Sequence, residues 1–553
     1  MILDWLRRLP NLVAGVLAGA LAAVVMTLAM AASRYWLGIM PPVEAIPDRV
    51  SALLSINTFF SLFGKYGGYN GLKQFGILSG LRGVLAVGIV VGVLYALVVE
   101  SVPSRRSRRW MRGTSLPALL FVAIAGFVAW IGLVIFLWSD MASNFRGLPF
   151  TWARITSVAA YFIWIALFIA TLIASYRFMT RRPLPTGTID TAPVVVTPTT
   201  RPLGQPLSRR AIGVAAIAAL LTWPIYWLLK RMYNEAVFPY DGTVNSGEGV
   251  TPITPIDHFY TVTKNVVDPN VNRDIWRLEV GGHVNKGVSY SYDDLQKFDQ
   301  VDQETTLMCI SNKIGAGLFS NANWRGVRLH DVLQASGVKD GAFDCFVHGA
   351  DGYRDSFTIA KAMEETTLVV YQINGEPLPR RHGYPVRLVV PGMYGEKNVK
   401  WVTRIDISTK DEKGFYEEQG WGPDFVPKTR SDIFFPRTRL TGKGFIFTPS
   451  AGNEFKVGKA SQVKGRAFAA DRGIKGVEFS VDNGATWAPA EIYYPGTKLT
   501  WSLWRFEWTP EKPGDYVLLT RATDDTGAAQ PSESRGIVPQ GAQGYQKVTA
   551  TVS

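Results

Sequence analysis

Thr305-Thr-Leu-Met-Cys-Ile-Ser-Asn312 is an apolar run that ends in a cysteine and opens into a glycine-rich loop, Gly315-Ala-Gly317. A cysteine on such a loop suits a soft metal ligand or a nucleophile. The plainer alternative is a small buried apolar residue. Cys345, near Phe343 and Phe346 in a β-like run, fits that alternative. No histidine–aspartate pairing can be read beside Cys309 for a cysteine hydrolase. With only two cysteines and five histidines in 553 residues, disulfide scaffolds, multi-cysteine clusters and polyhistidine metal sites are excluded.

Around this run the pattern is one of short strands. Trp276-Arg-Leu-Glu-Val280 and Trp401-Val-Thr-Arg-Ile-Asp-Ile407 alternate, and Pro385-Val-Arg-Leu-Val-Val-Pro391 is a buried strand bounded by prolines. Helical pieces are expected around 328–336, stopped by Gly337, and around 359–365. No phosphate loop opens a helix after a strand. Residues 251–436 therefore read as a mixed α+β domain. From 437 to 553, strands of similar length are separated by turns such as Asp482-Asn483-Gly484 and Pro513-Gly514-Asp515. That regularity predicts an all-β, immunoglobulin-like sandwich. Trp487, Trp501, Trp504 and Trp508 are expected to be core or interface residues.

The N-terminal part differs in kind. The net charge of +13 is concentrated there: residues 1–231 hold 22 Lys and Arg against 6 Asp and Glu. The remainder is slightly acidic, so the basic excess indicates membrane topology and not nucleic-acid binding. Uncharged apolar stretches lie between Arg8 and Arg34, Arg82 and Glu100, Arg112 and Asp140, Arg154 and Arg177, and Arg210 and Lys230. Each is long enough for a helix to cross a bilayer, which predicts an all-α transmembrane bundle over 1–232 and a linker over 233–250. The stretch between Arg49 and Lys65 is too short to span, and reads as interfacial, re-entrant or a packed loop. Thirteen arginines fall in the N-terminus and the even loops, against six basic residues in the odd loops. The positive-inside rule places the thirteen in the cytoplasm, and everything after Lys230 outside. No histidine precedes His258, so a haem held within the bundle is not expected. The Pro- and Thr-rich residues 181–206 read as a cytoplasmic loop. Arg209-Arg210 before the fifth span has two readings, positive-inside bias or a twin-arginine export signal.

A second candidate cluster is His382 in Pro379-Arg-Arg-His-Gly-Tyr-Pro385, with Arg387 and Lys400 downstream. Together they could grip an anion; a surface salt-bridge cluster fits the spacing equally well.

The run from Cys309 through Gly317-Leu-Phe-Ser-Asn-Ala-Asn-Trp-Arg-Gly-Val-Arg-Leu-His-Asp-Val-Leu333 resembles the sulfite oxidase family of molybdopterin enzymes. So do Asn374-Gly-Glu-Pro-Leu-Pro379, His382-Gly-Tyr-Pro-Val-Arg-Leu-Val-Val-Pro-Gly392 and Val399-Lys-Trp401. Arg472-Gly-Ile-Lys-Gly-Val-Glu-Phe-Ser-Val-Asp-Asn-Gly-Ala-Thr-Trp487 and Arg521-Ala-Thr-Asp524 resemble the family's C-terminal dimerisation domain. The resemblance covers about 250–545 and leaves out the apolar half. It implies a molybdenum–molybdopterin cofactor, with Cys309 as the protein's thiolate ligand to the metal. It further implies that Asn265, Asp351, His382, Arg387, Asn398, Val399 and Lys400 hold the pterin and its phosphate. The chemistry would be oxygen-atom transfer, with the protein supplying orientation and electrostatics.

The chain departs from the sulfite-oxidising pattern at the substrate. Thr263 stands where those members carry arginine, Lys313 is followed by Ile314, and Glu412 replaces an active-site tyrosine. Only Arg472 keeps a basic position of the sulfite pocket. Cys309, Arg472 and Glu412 are the expected catalytic positions. Sulfite or a related sulfur oxyanion is one expected substrate. A sulfoxide or other oxide, reduced as in the methionine-sulfoxide reductase branch that Asn265 resembles, is the other. With no haem on the chain, a separate cytochrome or quinone-linked partner would carry electrons. The dimerisation domain allows a homodimer. A binding protein built on a cofactor-free form of the fold is the alternative from another class.

Overall fold

The computed structural model describes residues 2–51, 53–66, 69–101, 116–180, 209–236, 250–265, 267–435, 438–441, 448–451 and 454–553. The arginine cluster at 105–112, the loop at 181–206 and residues 237–249 of the expected linker lie outside the described residues. Contacts divide the chain into two units. One is Met1–Pro47, Gly76–Met141 and Arg154–Asn234; the other is Asp48–Phe75, Ala142–Ala153 and Glu235–Ser553. The boundary is thus not a single cut near 232. Two segments that lie between long helices in sequence belong with the C-terminal part.

The first unit is helical. Five stretches are long and apolar enough to cross a membrane: Asn11–Leu37, Gly71–Ser101, Leu116–Phe136, Phe150–Thr180 and Arg209–Met232. The second starts before Arg82, because helical backbone runs unbroken over Tyr69–Ser101 and takes in Lys73 and Arg82. Small residues set the packing of the helices Ile2–Ala32 and Tyr69–Ser101. Gly15 and Gly19 face Gly92 and Gly88, and a Cβ on any of the four would fall on the facing helix. This is the small-xxx-small device by which apolar helices associate where no hydrophobic effect separates helix from lipid. Polar ties add specificity: Tyr161 donates to the Met40 carbonyl (2.9 Å) and Trp164 to Ser33 Oγ (3.2 Å).

The second unit is built on sheets. One has the strand order Val288–Tyr290, Leu278–Gly282, Val402–Ser408, Asp344–Gly349, Arg354–Thr358. A second runs Gln300–Met308, Phe319–Arg328, Leu368–Ile373, Glu376–Pro377, with Arg387–Val389 also paired to Leu368–Ile373. The helices Leu329–Gln334 and Ile359–Ala362 fall where expected but shorter. The Trp276, Leu278, Val347, Leu388, Trp401 and Ile405 side chains share one core.

Among the described residues, the C-terminal strands form sheets of four and five strands and a two-stranded pair, Thr438–Thr441 with Thr448–Ala451. Val463, Ala467, Trp504 and Trp508 from one sheet meet Phe479, Leu518, Val548 and Ala550 from the other. Trp501 is instead in a cluster with Phe319 and Phe468. Trp487 is only half-buried, and lies beneath the Arg521 guanidinium at 4.2 Å.

The inter-span segments join this unit through polar and aromatic contacts. Arg146 donates to the Asn270 carbonyl (3.4 Å), and Phe150 meets the His348 ring edge-on.

Arg404 donates to both oxygens of Asp406, at 2.7 Å each. Burial alone would raise the Asp406 pKa, but bonds from His348 and Arg404 outweigh it and bring the carboxyl down to about 2. A depressed carboxyl stabilises the fold above its ordinary pKa of about 3.9, and that contribution disappears as pH falls through the folded value. Asp406→Asn is therefore expected to melt lower than the wild type near neutrality. The difference should close between about pH 4 and about pH 2. Melting curves across this range check it; a difference that persists at the acid end sinks the argument.

Candidate active site

The candidate site is a pocket open at its mouth to solvent, within the second unit. Cys309 lines it, at the end of the strand Gln300–Met308, where the chain leaves the sheet. The loop beyond is pinned. Asn312 donates its amide to the Cys309 carbonyl (2.9 Å) and accepts the Leu318 amide on its side chain (2.9 Å). Gly315, at φ +75°, makes the turn that a side chain would resist. The Cys309 Sγ lies 3.1 Å from Ser311 Oγ. Burial, with the Glu396 carboxyl beside it, pushes the thiol up to about 11. A thiol so reluctant to ionise is a slow nucleophile when free. Cys345 is fully buried, paired across its strand with Ile407 and Phe357.

His382, Arg387, Asn398, Val399 and Lys400 line the same pocket, as does Asp351. Asn265 supports it: its side-chain amide donates to the Asp351 carbonyl at 2.7 Å. The two proline-bounded and glycine-rich segments bring the basic groups together. Arg387 sits in the strand Arg387–Val389, and His382 in a single 3₁₀ turn, Arg380–His382.

Burial, then the Lys400 and Arg387 charges, hold the His382 imidazole near 3, so it is neutral at physiological pH. Burial brings Arg387 down to about 10 and Lys400 down to about 8. Arg387 donates to the carbonyls of His382, Leu388 and Asn398 and lies over the Trp324 ring. Lys400 donates to the Arg381 carbonyl at 3.1 Å, near the buried Asp268 carboxyl. Buried cations bonded mainly to carbonyls favour an anionic ligand.

Two expected catalytic positions lie elsewhere. Glu412 accepts from Ser408 Oγ (2.8 Å), and its amide bonds Asp344; it is not among the lining residues. Arg472 is likewise absent from the lining, because Asp524, Pro427 and Thr429 hold its guanidinium. Thr263, by contrast, does line the pocket.

A second carboxyl beside Asp351 lines this pocket, that of Glu396, which the sequence reading overlooked. Burial, then Asp355, raises it to about 8, against backbone N–H groups of Glu396 and Ile310 that lower it. Its only sequence signal was position, two residues before Asn398. Lys264 and Tyr260 were overlooked as well, although Lys264 adjoins Asn265. Phe59, about 250 residues from Cys309, carried no signal at all.

A molybdenum cofactor fits this donor set. Among the described residues, no group of three or more His, Cys, Asp or Glu could hold a metal ion. A metal here therefore needs the lone thiolate together with donors brought by its own cofactor. The cationic groups answer a pterin phosphate.

Comparison with known proteins agrees. An oxidoreductase molybdopterin binding domain matches residues 265–416, and a Mo-co oxidoreductase dimerisation domain matches 437–540. Rat mitochondrial sulfite oxidase is 31% identical over 323 residues, which are 50% of this chain and 57% of that protein. Barley nitrate reductase is 28% identical over 328 residues, 50% of this chain and 37% of the relative. The uncharacterized oxidoreductase YuiH of Bacillus subtilis is 32% identical over 146 residues, 26% of this chain and 72% of the relative. The chain thus spans little more than half the length of the sulfite oxidase it matches. With the cysteine-lined pocket and both domain matches in the same order, the chain belongs to the sulfite oxidase family of molybdopterin-dependent oxidoreductases.

Proposed function

We propose that this chain is a membrane-anchored oxidoreductase that moves an oxygen atom between a small substrate and water. The observation that carries this reading is Cys309 in one pocket with His382, Arg387 and Lys400. Bound there, a molybdenum–molybdopterin cofactor supplies two-electron oxygen-atom transfer. Cys309 would hold the metal. Arg387 and Lys400 would answer the phosphate, neutral His382 would accept or donate one hydrogen bond, and Asn265, Asp351, Asn398 and Val399 would orient the pterin. Fixed donors in a water-poor pocket do this without reorganising during reaction.

Five apolar helices and the asymmetry of basic loops support a catalytic unit on the outer face of the membrane. Arg209-Arg210 then serves export of a folded, cofactor-loaded domain. Electrons pass to or from a separate cytochrome or quinone-linked partner. The C-terminal domain is compatible with a homodimer.

Sulfite or a related sulfur oxyanion is the first substrate reading. A specific observation favours the second, reduction of a sulfoxide or similar oxide. The Glu396 carboxyl lines the pocket close to Cys309, whereas Arg472 is held by Asp524 away from its lining. With Arg387 and Lys400 assigned to the pterin phosphate, an acid beside the cysteine suits a neutral oxide better than a dianion.

Mo(V) electron paramagnetic resonance on detergent-purified protein, with molybdenum assayed on the same sample, tests both. A signal elicited by sulfite establishes sulfite oxidation. Metal without that signal, together with reoxidation of the reduced enzyme by a sulfoxide, establishes the reductase. No molybdenum after cofactor-competent expression overturns the proposal in favour of a cofactor-free binding protein.

Arg387→Met separates cofactor binding from folding. It removes charge-assisted hydrogen bonds worth about 1.5–3 kcal/mol, so cofactor retention falls roughly tenfold or more. The cofactor-free chain should also melt somewhat lower, because the His382, Leu388 and Asn398 carbonyls lose their donor, so cofactor retention is compared per folded protein. Pterin release assays and melting curves read the two effects independently.

A further inference from the structure

The pocket has a wall from outside the segment that the family domains cover. Phe59 lies in the short helix Ile56–Lys65, which precedes the second membrane-length helix, and it is 3% exposed. It lines the pocket together with Cys309, Tyr416 and Trp421.

Ion pairs, a hydrogen bond and an apolar contact hold this segment in place within the second unit. Asp48 pairs with Lys264 at 2.7 Å, with side-chain exposures of 3% and 1%. The same carboxylate meets Lys73. Gln419 donates to Ser51 Oγ at 3.3 Å. Ile56 packs on the cluster that contains Trp421 and Phe425. Lys264 is itself a lining residue, so Asp48 neutralises a cation of the pocket from the far side. A buried ion pair anchored in this way fixes position at the expense of desolvation, and such a pair selects one arrangement more than it adds stability.

We propose that Phe59 is a substrate-selecting residue, a built wall of the pocket held in place through Asp48, Ser51 and Ile56. The wall is aromatic where it meets the lumen, with Phe259 and Trp421 sharing the lining. It suits an organic oxide that carries an apolar aryl or alkyl body beside its transferable oxygen. An inorganic oxyanion has no such body to place there. This substrate class rests on the sulfoxide reading above; the wall itself does not.

The test uses the full-length chain in detergent, as wild type, Phe59→Ala and Phe59→Leu. In protein made without the cofactor, Cys309 is alkylated with iodoacetamide and followed by mass spectrometry, with Cys345 as internal control. Phe59→Ala should react severalfold faster at Cys309, and Phe59→Leu close to the wild type, with Cys345 unchanged in all three. In loaded enzyme, Phe59→Ala should raise KM for a methyl aryl sulfoxide roughly tenfold and leave dimethyl sulfoxide nearly unchanged, the scale on which apolar pockets discriminate. Equal Cys309 alkylation in all three proteins overturns the wall. Faster alkylation without turnover of either sulfoxide upholds the wall and overturns the substrate class. Melting curves show whether Phe59→Ala is folded; if it is not, Phe59→Trp, which adds bulk at the wall, should slow Cys309 alkylation, and an unchanged rate overturns the wall.

Discussion

Cys309→Ser is expected to abolish turnover, by more than ~100-fold, while the protein still folds and keeps part of its pterin. Loss of a partner that merely orients a metal ligand costs about 10–100-fold, and loss of the ligand costs more. The fold should survive because Cys309 stands at the mouth of a loop held by other bonds. Its backbone amide reaches the Leu318 carbonyl at 3.0 Å, and Asn312 ties the loop from the other side. A serine keeps those bonds and nearly the same volume. It loses the soft donor that a molybdenum centre requires. Turnover and metal content measured on one preparation decide the matter. Activity within tenfold of the wild type would remove Cys309 from the centre of the mechanism. Retention of pterin would place its hold on Arg387, Lys400 and their neighbours.

Lys397→Met has the second large expected effect, and it bears on stability. Lys397 is 2% exposed and pairs with Asp355 at 2.7 Å and Glu417 at 3.0 Å, under the Phe425 ring. Asp355 is itself 1% exposed. Its nearby charges include Glu417 and, through space, Glu396. Removing the lysine leaves a buried carboxylate with acids around it. Breaking a buried pair from one side costs about 3–5 kcal/mol. For a domain of this size that is a fall in Tm of roughly 6–20 °C. The double variant Lys397→Met/Asp355→Leu should recover most of the loss, because the stranded charge goes with its partner. Thermal unfolding of the three proteins side by side checks this. A single variant as stable as the wild type would mean that Asp355 is protonated or hydrated in the folded state.

The legible parts of this protein are those encoded locally. Apolar length alone specifies the five long helices, and the alternation at 401–407 yields the strand Val402–Ser408. Gly337, at φ +66°, closes the helix after Leu329–Gln334 as its position suggests. The cysteine on its loop and the His382–Arg387–Lys400 cluster could each be singled out from residue type and spacing. Whether they meet could not, because an anion site and a surface salt-bridge cluster look alike along a chain.

Glu412 and Arg472 show the limit from the other side. Both were placed by position within a motif. Position along the chain does not say which way a long side chain is pulled. Ser408 holds Glu412, and Asp524 holds Arg472. The lining carboxyl that was missed, Glu396, belongs to a 3₁₀ turn, Gly395–Lys397, whose burial no local pattern records.

By itself, the sequence determined the helical and sheet-rich halves, the candidate cysteine and the basic groups available to an anion. These are properties of residue type, hydropathy and short-range spacing, which act within a few residues. Only the tertiary structure decided that Phe59 belongs to the pocket, that Lys264 is neutralised from a different segment by Asp48, and that Glu396 stands there buried. Those facts depend on burial and on contacts across more than 200 residues. Burial is a property of everything packed around a group, and no single stretch of chain contains it.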